Sequence, residues 1–422
     1  MNTFTLKGKE RNVLFGMMAI GLISMILTYM TDSLPGKARF WSNFLHESLF
    51  FTGIATMALF YLGTGLAGYG GYMSVFKRVL EAMMLQLKLG IAFFLILIIG
   101  IYMKWHHLYL WADETFVSQD KVLMGKSGFL NPNMYTLFTI LALGVWFFMA
   151  SRIRKLSLQE DAQGKFSDYR FARKMMGLGA VSLALIGYLS AVGIWQWLMS
   201  LDPHWYSTLF AWYTGASWFV AMLCLLVLLL LYLKSQGYMP YFTKEHMHDI
   251  GKFIFGISIF WSYLWFSQYM LIWYGNVGEE TIYFKARVDH YPVLFYGNLI
   301  INFVIPFLVL LPNTTKRFKG TMVFISILLL LGHWIDLFLM VKPGVLHTVQ
   351  ELSGAHETIG EHGAHEVTQA ISGFTLPGFL ELGTFIGFLG FFVYMTFRDL
   401  SKASLAPMND PYIEESIHHH VI

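Results

Sequence analysis

Apolar runs of roughly 20 residues recur along this chain, and each is long enough to cross about 30 Å of hydrocarbon as a helix. Lipid cannot satisfy an open sheet edge, so such runs read as helices that bond their own backbone. The pattern predicts an all-α, polytopic membrane protein with ten transmembrane helices. The first five spans run from Val13 to Thr31, Glu47 to Gly68, Met84 to Met103, Met134 to Ala150 and Met176 to Met199. The second five run from Ser207 to Leu233, Phe253 to Tyr274, Val293 to Leu311, Thr321 to Val341 and Phe379 to Phe397.

Composition points the same way. Charged residues make up 13% of the chain and hydrophobic residues 56%, whereas a soluble domain carries about 25% charged residues. The net charge of +3 is mild, and no basic patch marks a nucleic-acid partner. The one cysteine, Cys224, lies in an apolar run. It excludes an internal disulfide, a four-cysteine cluster and a covalently held c-type haem, so a redox centre would be non-covalent or sit on a partner. With only His333 deep in a span, a bis-imidazole haem b is not expected either, and no cofactor is expected on this chain. Asp32 and Pro35 follow the first run without a small-residue cleavage site, so it reads as a retained span and not a signal peptide.

The loops orient the chain through the excess of Lys and Arg on the cytoplasmic side. With the N-terminus inside, inside segments hold 20 of the 29 Lys and Arg, among them Lys77, Arg78 and Arg154. Outside segments hold Lys37, Arg39, Lys104, Lys121, Lys126, Lys285, Arg287 and Lys342, and Lys88 lies within a span. Both termini are therefore expected in the cytoplasm. The two longest outside segments, 104–133 and 342–378, are rich in Gly, His and aromatics. They read as covers or docking surfaces, against the alternative of plain connections.

Ionisable groups within hydrocarbon are costly and point to function unless a partner explains them. His333 and Asp336 are three apart, on one helix face near the middle of the ninth span. An imidazole beside a carboxylate suits a proton relay; the competing reading is a neutral histidine held as structural glue. The fifth span ends in the run WQWLMSLDPHWY (Trp195–Tyr206). There Asp202 and His204 suit proton uptake or release, against an ordinary Asp-Pro helix stop. In the seventh span Ser258, Ser262, Trp265 and Tyr269 share a stripe, with Gln268 nearby. They read as a water wire or as helix–helix hydrogen bonds, and Asn298 and Asn302 read likewise. Lys88 reads as a pathway residue or as a snorkelling cation. His46 and Glu47 open the second span, and with His106 and His107 they form an alternative quinone-pocket set. His356, His362, His365 and His418 to His420 lack a firm ligand spacing, so no metal site is expected. The G-x-G-x-x-G match at Gly63–Gly68 ends a span instead of following a strand, and reads as accidental. The third and seventh spans both exit through Trp and Tyr toward an acidic segment, a faint hint of duplication.

The run WQWLMSLDPHWY, the run WFSQYMLIWYGNVGEET (Trp265–Thr281) and ten spans with an outside His-rich segment together resemble the NrfD/polysulfide-reductase-like membrane subunits. Within them, the ActF-type subunits of bacterial alternative complex III are similar over the whole chain. The resemblance implies two four-helix bundles plus two peripheral helices. On that pattern 1–46 would hold the first peripheral helix, 47–206 and 207–342 the two bundles, 343–378 an outside His-rich loop, and 379–422 the last peripheral helix and tail. It implies a membrane subunit of a respiratory quinol:cytochrome c oxidoreductase in the bacterial cytoplasmic (inner) membrane, with haem c and iron–sulfur clusters on partners. Those partners would be a multihaem cytochrome c, an iron–sulfur protein, a sister NrfD-like subunit, a monohaem cytochrome c and a terminal cytochrome oxidase, with lipids around them and menaquinone as the quinone. The expected role is scaffolding with proton translocation through His333, Asp336, Asp202 and His204. A quinol-binding pocket in this subunit is the alternative. A secondary transporter, with Pro306 as its broken-helix candidate, is another.

Overall fold

The structure is a computed structural model and describes residues 3–163, 169–352, 374–407 and 409–420. Among them, ten helices are long and apolar enough to cross a membrane. They are α1 (Gly8–Thr31), α2 (Pro35–Ala67), α3 (Lys77–Tyr102), α4 (Pro132–Gln163), α5 (Arg170–Leu201), α6 (Leu209–Ser235), α7 (Lys244–Gly275), α8 (Pro292–Leu310), α9 (Lys319–Leu352) and α10 (Phe379–Leu400). The chain is thus an all-α, multi-pass membrane protein, as the apolar runs predict.

Helices α2, α6 and α9 form the middle. Their apolar windows are 78%, 83% and 67% buried by protein, against 22% for α1. Helix α2 packs on α3, α5, α6, α9 and α10; α4 packs on α3 and α5. Helix α6 packs on α7 and α9, and α8 on α7 and α9. Helix α1 lies mainly along α10. Gly383, Gly387 and Gly390 let that pair approach: a Cβ on Gly387 would collide with the backbone of Gly21. Small residues at this spacing bring membrane helices close enough for dispersion to hold them.

Hydrogen bonds define the two ends of the molecule. The N-terminal segment bonds the α6–α7 connection through Thr5–Tyr238 and Lys7–Gln236. The C-terminal tail bonds the α2–α3 connection through Ser416, Ser74 and Asp410. This end is called the terminal face. At the opposite, loop face, Lys126 reaches the carbonyl of Pro203 at 2.5 Å and Gln196 that of Phe129 at 2.7 Å.

Several helices run longer than hydropathy alone predicts, and this corrects the reading of particular residues. The helix of the second span begins at Ala38, so His46 and Glu47 lie more than two turns inside it. Helix α9 continues to Leu352, so Lys342 is a buried helical residue and not part of a loop. Lys77, Arg78 and Arg154, taken from the sequence as loop cations, are buried at the terminal face. Arg78 and Arg154 both bond Glu81, at 2.7 and 2.5 Å, and Lys77 bonds Asp410 at 2.6 Å. Burial works against charge on Asp410, yet the Lys77 ammonium beside it holds the carboxyl below its usual range.

A buried carboxyl–imidazole pair as the candidate functional site

Asp336 and His333 are fully buried on α9. Three neighbouring helices supply Asp336 with four donors. Tyr213 of α6 donates through its hydroxyl, and Asn298 of α8 donates to the same oxygen, Oδ1, at 2.7 Å. Ser217 of α6 donates to Oδ2 at 2.7 Å, and the indole of Trp261 of α7 donates to it at 2.9 Å. Four donors converging on one carboxyl make a cage in which a negative charge can be solvated without bulk water. His333 joins through Ser217, whose hydroxyl lies 3.0 Å from Nδ1.

The local sequence explains the convergence. Tyr213 and Ser217 are four apart on one face of α6, as are Asn298 and Asn302 on α8. Asn302 donates to Asn298 at 2.6 Å, so a chain of amides runs from Asp336 toward the terminal face. Helix α8 makes a π-turn at Ile300–Val304 just before Pro306. A π-turn accommodates a proline that would otherwise clash with the preceding turn. Gly332 completes the fit, because a Cβ there would collide with the Asn302 side chain.

Among the described residues, several buried polar atoms around the cage have no hydrogen-bond partner: His333 Nε2, Asn302 Oδ1 and Ser258 Oγ. All lie on the terminal-face side of Asp336. Toward the loop face, a cavity of about 20 Å³ is lined by Tyr213, Gln268, Tyr283, Arg287 and Asn298 among others. It has room for one water, and Gln268 Nε2 beside it is unpartnered.

Arg287, in the short helix Gly278–His290, lines this cavity. It is buried, stacks on the Tyr283 ring at 3.3 Å and donates to the Leu339 carbonyl at 3.1 Å. Its Nη2 lies 3.5 Å from Asp202. Tyr283 in turn stacks on Trp205 at 3.8 Å. Burial pushes the Tyr283 hydroxyl well above the usual tyrosine range, so it stays a neutral donor.

The remaining candidates fall in different places. His204 turns away from Asp202 and bonds Asp120 at 2.5 Å. Burial opposes charge on Asp120, but that histidine and the backbone amides of Val122 and Leu123 lower its carboxyl overall. Ser262 spends its hydroxyl on the Ile259 carbonyl of its own helix, at 2.8 Å. Tyr269 is partly buried between Trp265, Phe284 and Phe295. Lys88 pairs with Asp399 of α10, far along the chain from the cage. His46 and Glu47 bond Trp334 of α9, whereas His106 bonds the Leu97 carbonyl of α3 at 3.1 Å. His107 is half-buried beside Gly36. His419 pairs with Asp249; His356, His362 and His365 lie outside the described residues.

Tyr213, Ser217, Trp261 and Arg287 are the site residues that sequence reasoning missed. For the first two, a polar pair four apart in an otherwise apolar span was the available signal. Arg287 was hidden among loop cations. Compared with known protein families and curated proteins, the chain matches no family model and no curated sequence.

Proposed function

We propose that this chain is the integral membrane subunit of a respiratory quinol:cytochrome c oxidoreductase of the alternative complex III type, and that it carries protons across the bilayer as well as scaffolding its partners. The assignment to such a complex rests on the resemblance of the runs Trp195–Tyr206 and Trp265–Thr281. In this reading the bacterial cytoplasmic membrane holds the chain with both termini inside. Two four-helix groups, α2–α5 and α6–α9, lie side by side with α1 and α10 at the periphery. The pairwise packing of α2 with α3 and α5, and of α6 with α7 and α9, supports that grouping.

The observation that carries the proton role is the cage around Asp336. A relay needs a group that takes and gives a proton, a partner that shares it, and wet ends on both sides. Asp336 and His333 supply the first two. Unpartnered Ser258, Asn302 and His333 atoms mark the entry side. The small cavity at Gln268, followed by Arg287 and Asp202, marks the exit. Quinol would be oxidised on a partner, with haem c and iron–sulfur clusters there and menaquinone as the quinone.

The test is Asp336→Asn in the intact complex. The amide keeps the shape of the cage and removes the exchangeable proton. Proton release per electron should fall while the subunits still assemble. An unchanged ratio would leave scaffolding alone. Mild-detergent purification should bring c-type haem along with this haem-free chain; a lone protein that drives solute uptake in vesicles would instead mark a transporter.

A further inference from the structure

A second polar cluster sits on the opposite side of α9, facing α2 and α10. Lys342 is fully buried and donates to Ser42 Oγ at 2.7 Å and Asn43 Oδ1 at 2.5 Å. Among the described residues, no carboxylate touches it directly. Asn43 donates onward to Glu381 at 3.0 Å, and Glu381 is already paired with Arg39 at 2.9 and 3.1 Å. One turn deeper on α2 lies Glu47, also fully buried. Its Oε1 accepts from the Trp334 indole at 2.7 Å and lies 3.9 Å from His46 Nδ1, while its Oε2 has no partner. His46 Nε2 is occupied by the Trp334 carbonyl, at 2.9 Å.

A buried ammonium without a carboxylate and a buried carboxyl with an open oxygen thus lie one helical turn apart, Asn43 and Glu47 being four residues apart on one face of α2. Each group is costly alone, and each is what the other lacks. The flexible four-carbon stem of lysine can serve both positions. Phe338 and Phe374 flank the ammonium at 5.6 and 4.7 Å from their ring centres.

We propose that Glu47 and Lys342 form a second proton-exchange site, separate from Asp336, in which Lys342 swings between Asn43 and Glu47 Oε2. In the inner position a proton passes from Nζ to Oε2: one N–H bond breaks, one O–H bond forms, and a neutral amine and acid remain. Back at Ser42 and Asn43, a proton from water at the loop face, beside Glu381, restores the ammonium. Release runs the same steps backward, the ammonium giving a proton to that water and the Oε2 proton returning to Nζ, so that ammonium and carboxylate remain. The charged and titratable groups facing the site are Arg39 and His46 on α2, Lys342 on α9, Glu381 on α10 and Asp32 before α2. Helices α3, α5 and α6, which also touch α2, carry charge only in their terminal-face halves. The site stands whether or not Asp336 moves protons.

The test uses the full-length chain in lipid nanodiscs and pH-difference infrared spectra. A protonated-carboxyl band that shifts in D2O should vanish in Glu47→Gln, persist in Asp336→Asn and change frequency in Lys342→Met. Glutamate-specific ¹³C labelling of the wild type reads the same band without any substitution, should a variant fail to fold. The proposal is overturned by a band that survives Glu47→Gln, by one indifferent to Lys342→Met, or by a labelled wild type with no D2O-sensitive glutamic acid band.

Discussion

The surroundings of Asp336, built by α6, α7, α8 and α9, and those of Trp197, built by α3, α4 and α5, differ in chemistry. Between α6 and α9 lie a carboxyl, an imidazole, two amides and two hydroxyls. Around Trp197 lie rings. Trp146, Trp197 and Phe94 are almost wholly buried, with Phe94 and Trp146 at 4.5 and 6.2 Å from Trp197. The polar contacts of Trp197 are neutral: its indole donates to Thr139 at 2.7 Å, and its carbonyl accepts from the Tyr109 hydroxyl at 2.8 Å, while the buried ion pairs of Arg78 and Arg154 with Glu81 lie at the terminal face. Rings alone can hold helices together, by dispersion and shape. The cage is therefore an added cost in α6–α9, and that cost argues for use. The aromatic exits shared by the third and seventh spans are not matched deeper in.

The sharpest way to break this comparison is to make the polar interior apolar. Asp336→Leu removes the acceptor for Tyr213, Ser217, Trp261 and Asn298 together and strands their donors. Stability should fall by about 2–4 kcal/mol, the buried donors costing about 1 kcal/mol each in a membrane interior. Heat or SDS unfolding of the purified chain measures it. A stable Asp336→Leu protein would mean the donors find other partners, and the cage would lose its special standing.

Acid provides the next largest effect, at the cover of the ring-filled group. His106, in the segment after α3, packs its ring 4.9 Å from Trp41 and is held neutral. Burial lowers it from 6.5 to about 4. Because the folded value lies below the unfolded one, its contribution is complete above about pH 6.5 and is lost as pH falls toward 4. Over that window the loss amounts to about 2–3 kcal/mol, at 1.36 kcal/mol per unit. A melting temperature that drops between pH 6.5 and 4.5 in the wild type, and drops less in His106→Gln, checks the assignment.

A smaller change probes the ring-filled interior itself. Thr139→Val keeps the shape and removes the acceptor of the Trp197 indole. The cost should be about 1 kcal/mol, that of one buried donor left unmade. If it matched the loss from Asp336→Leu, the two interiors would be equally dependent on polar contacts and the contrast would fail.

Much of the fold was legible because hydropathy reports burial in lipid directly. The ten spans, and His333 with Asp336 on one face, follow from run length and a spacing of three. The ends of the helices were not legible, because a polar residue in the last turns of a span looks like a loop residue. His46, Glu47 and Lys342 were misplaced for that reason, since α2 begins earlier and α9 ends later than their apolar cores. Nor does periodicity tell which of several polar side chains on one helix will meet a given partner on another. Tyr213 and Trp261 bond Asp336 through their far ends, and an aromatic in a span reads first as packing.

Ser262 shows the same limit from the other direction, and it yields the smallest expected effect. Spacing groups it with Ser258, Trp265 and Tyr269 as one stripe, yet its hydroxyl bonds the carbonyl of Ile259 within α7. A serine that bonds its own helix offers little to a neighbouring helix or to water. Ser262→Ala should change stability by less than about 0.5 kcal/mol and leave proton release per electron untouched. Ser258 differs, because its buried oxygen is unpartnered and faces the terminal side of the cage. If alanine at 262 impairs proton release while alanine at 258 does not, the route runs along the other edge of α7, and the entry drawn through Ser258, Asn302 and His333 is wrong.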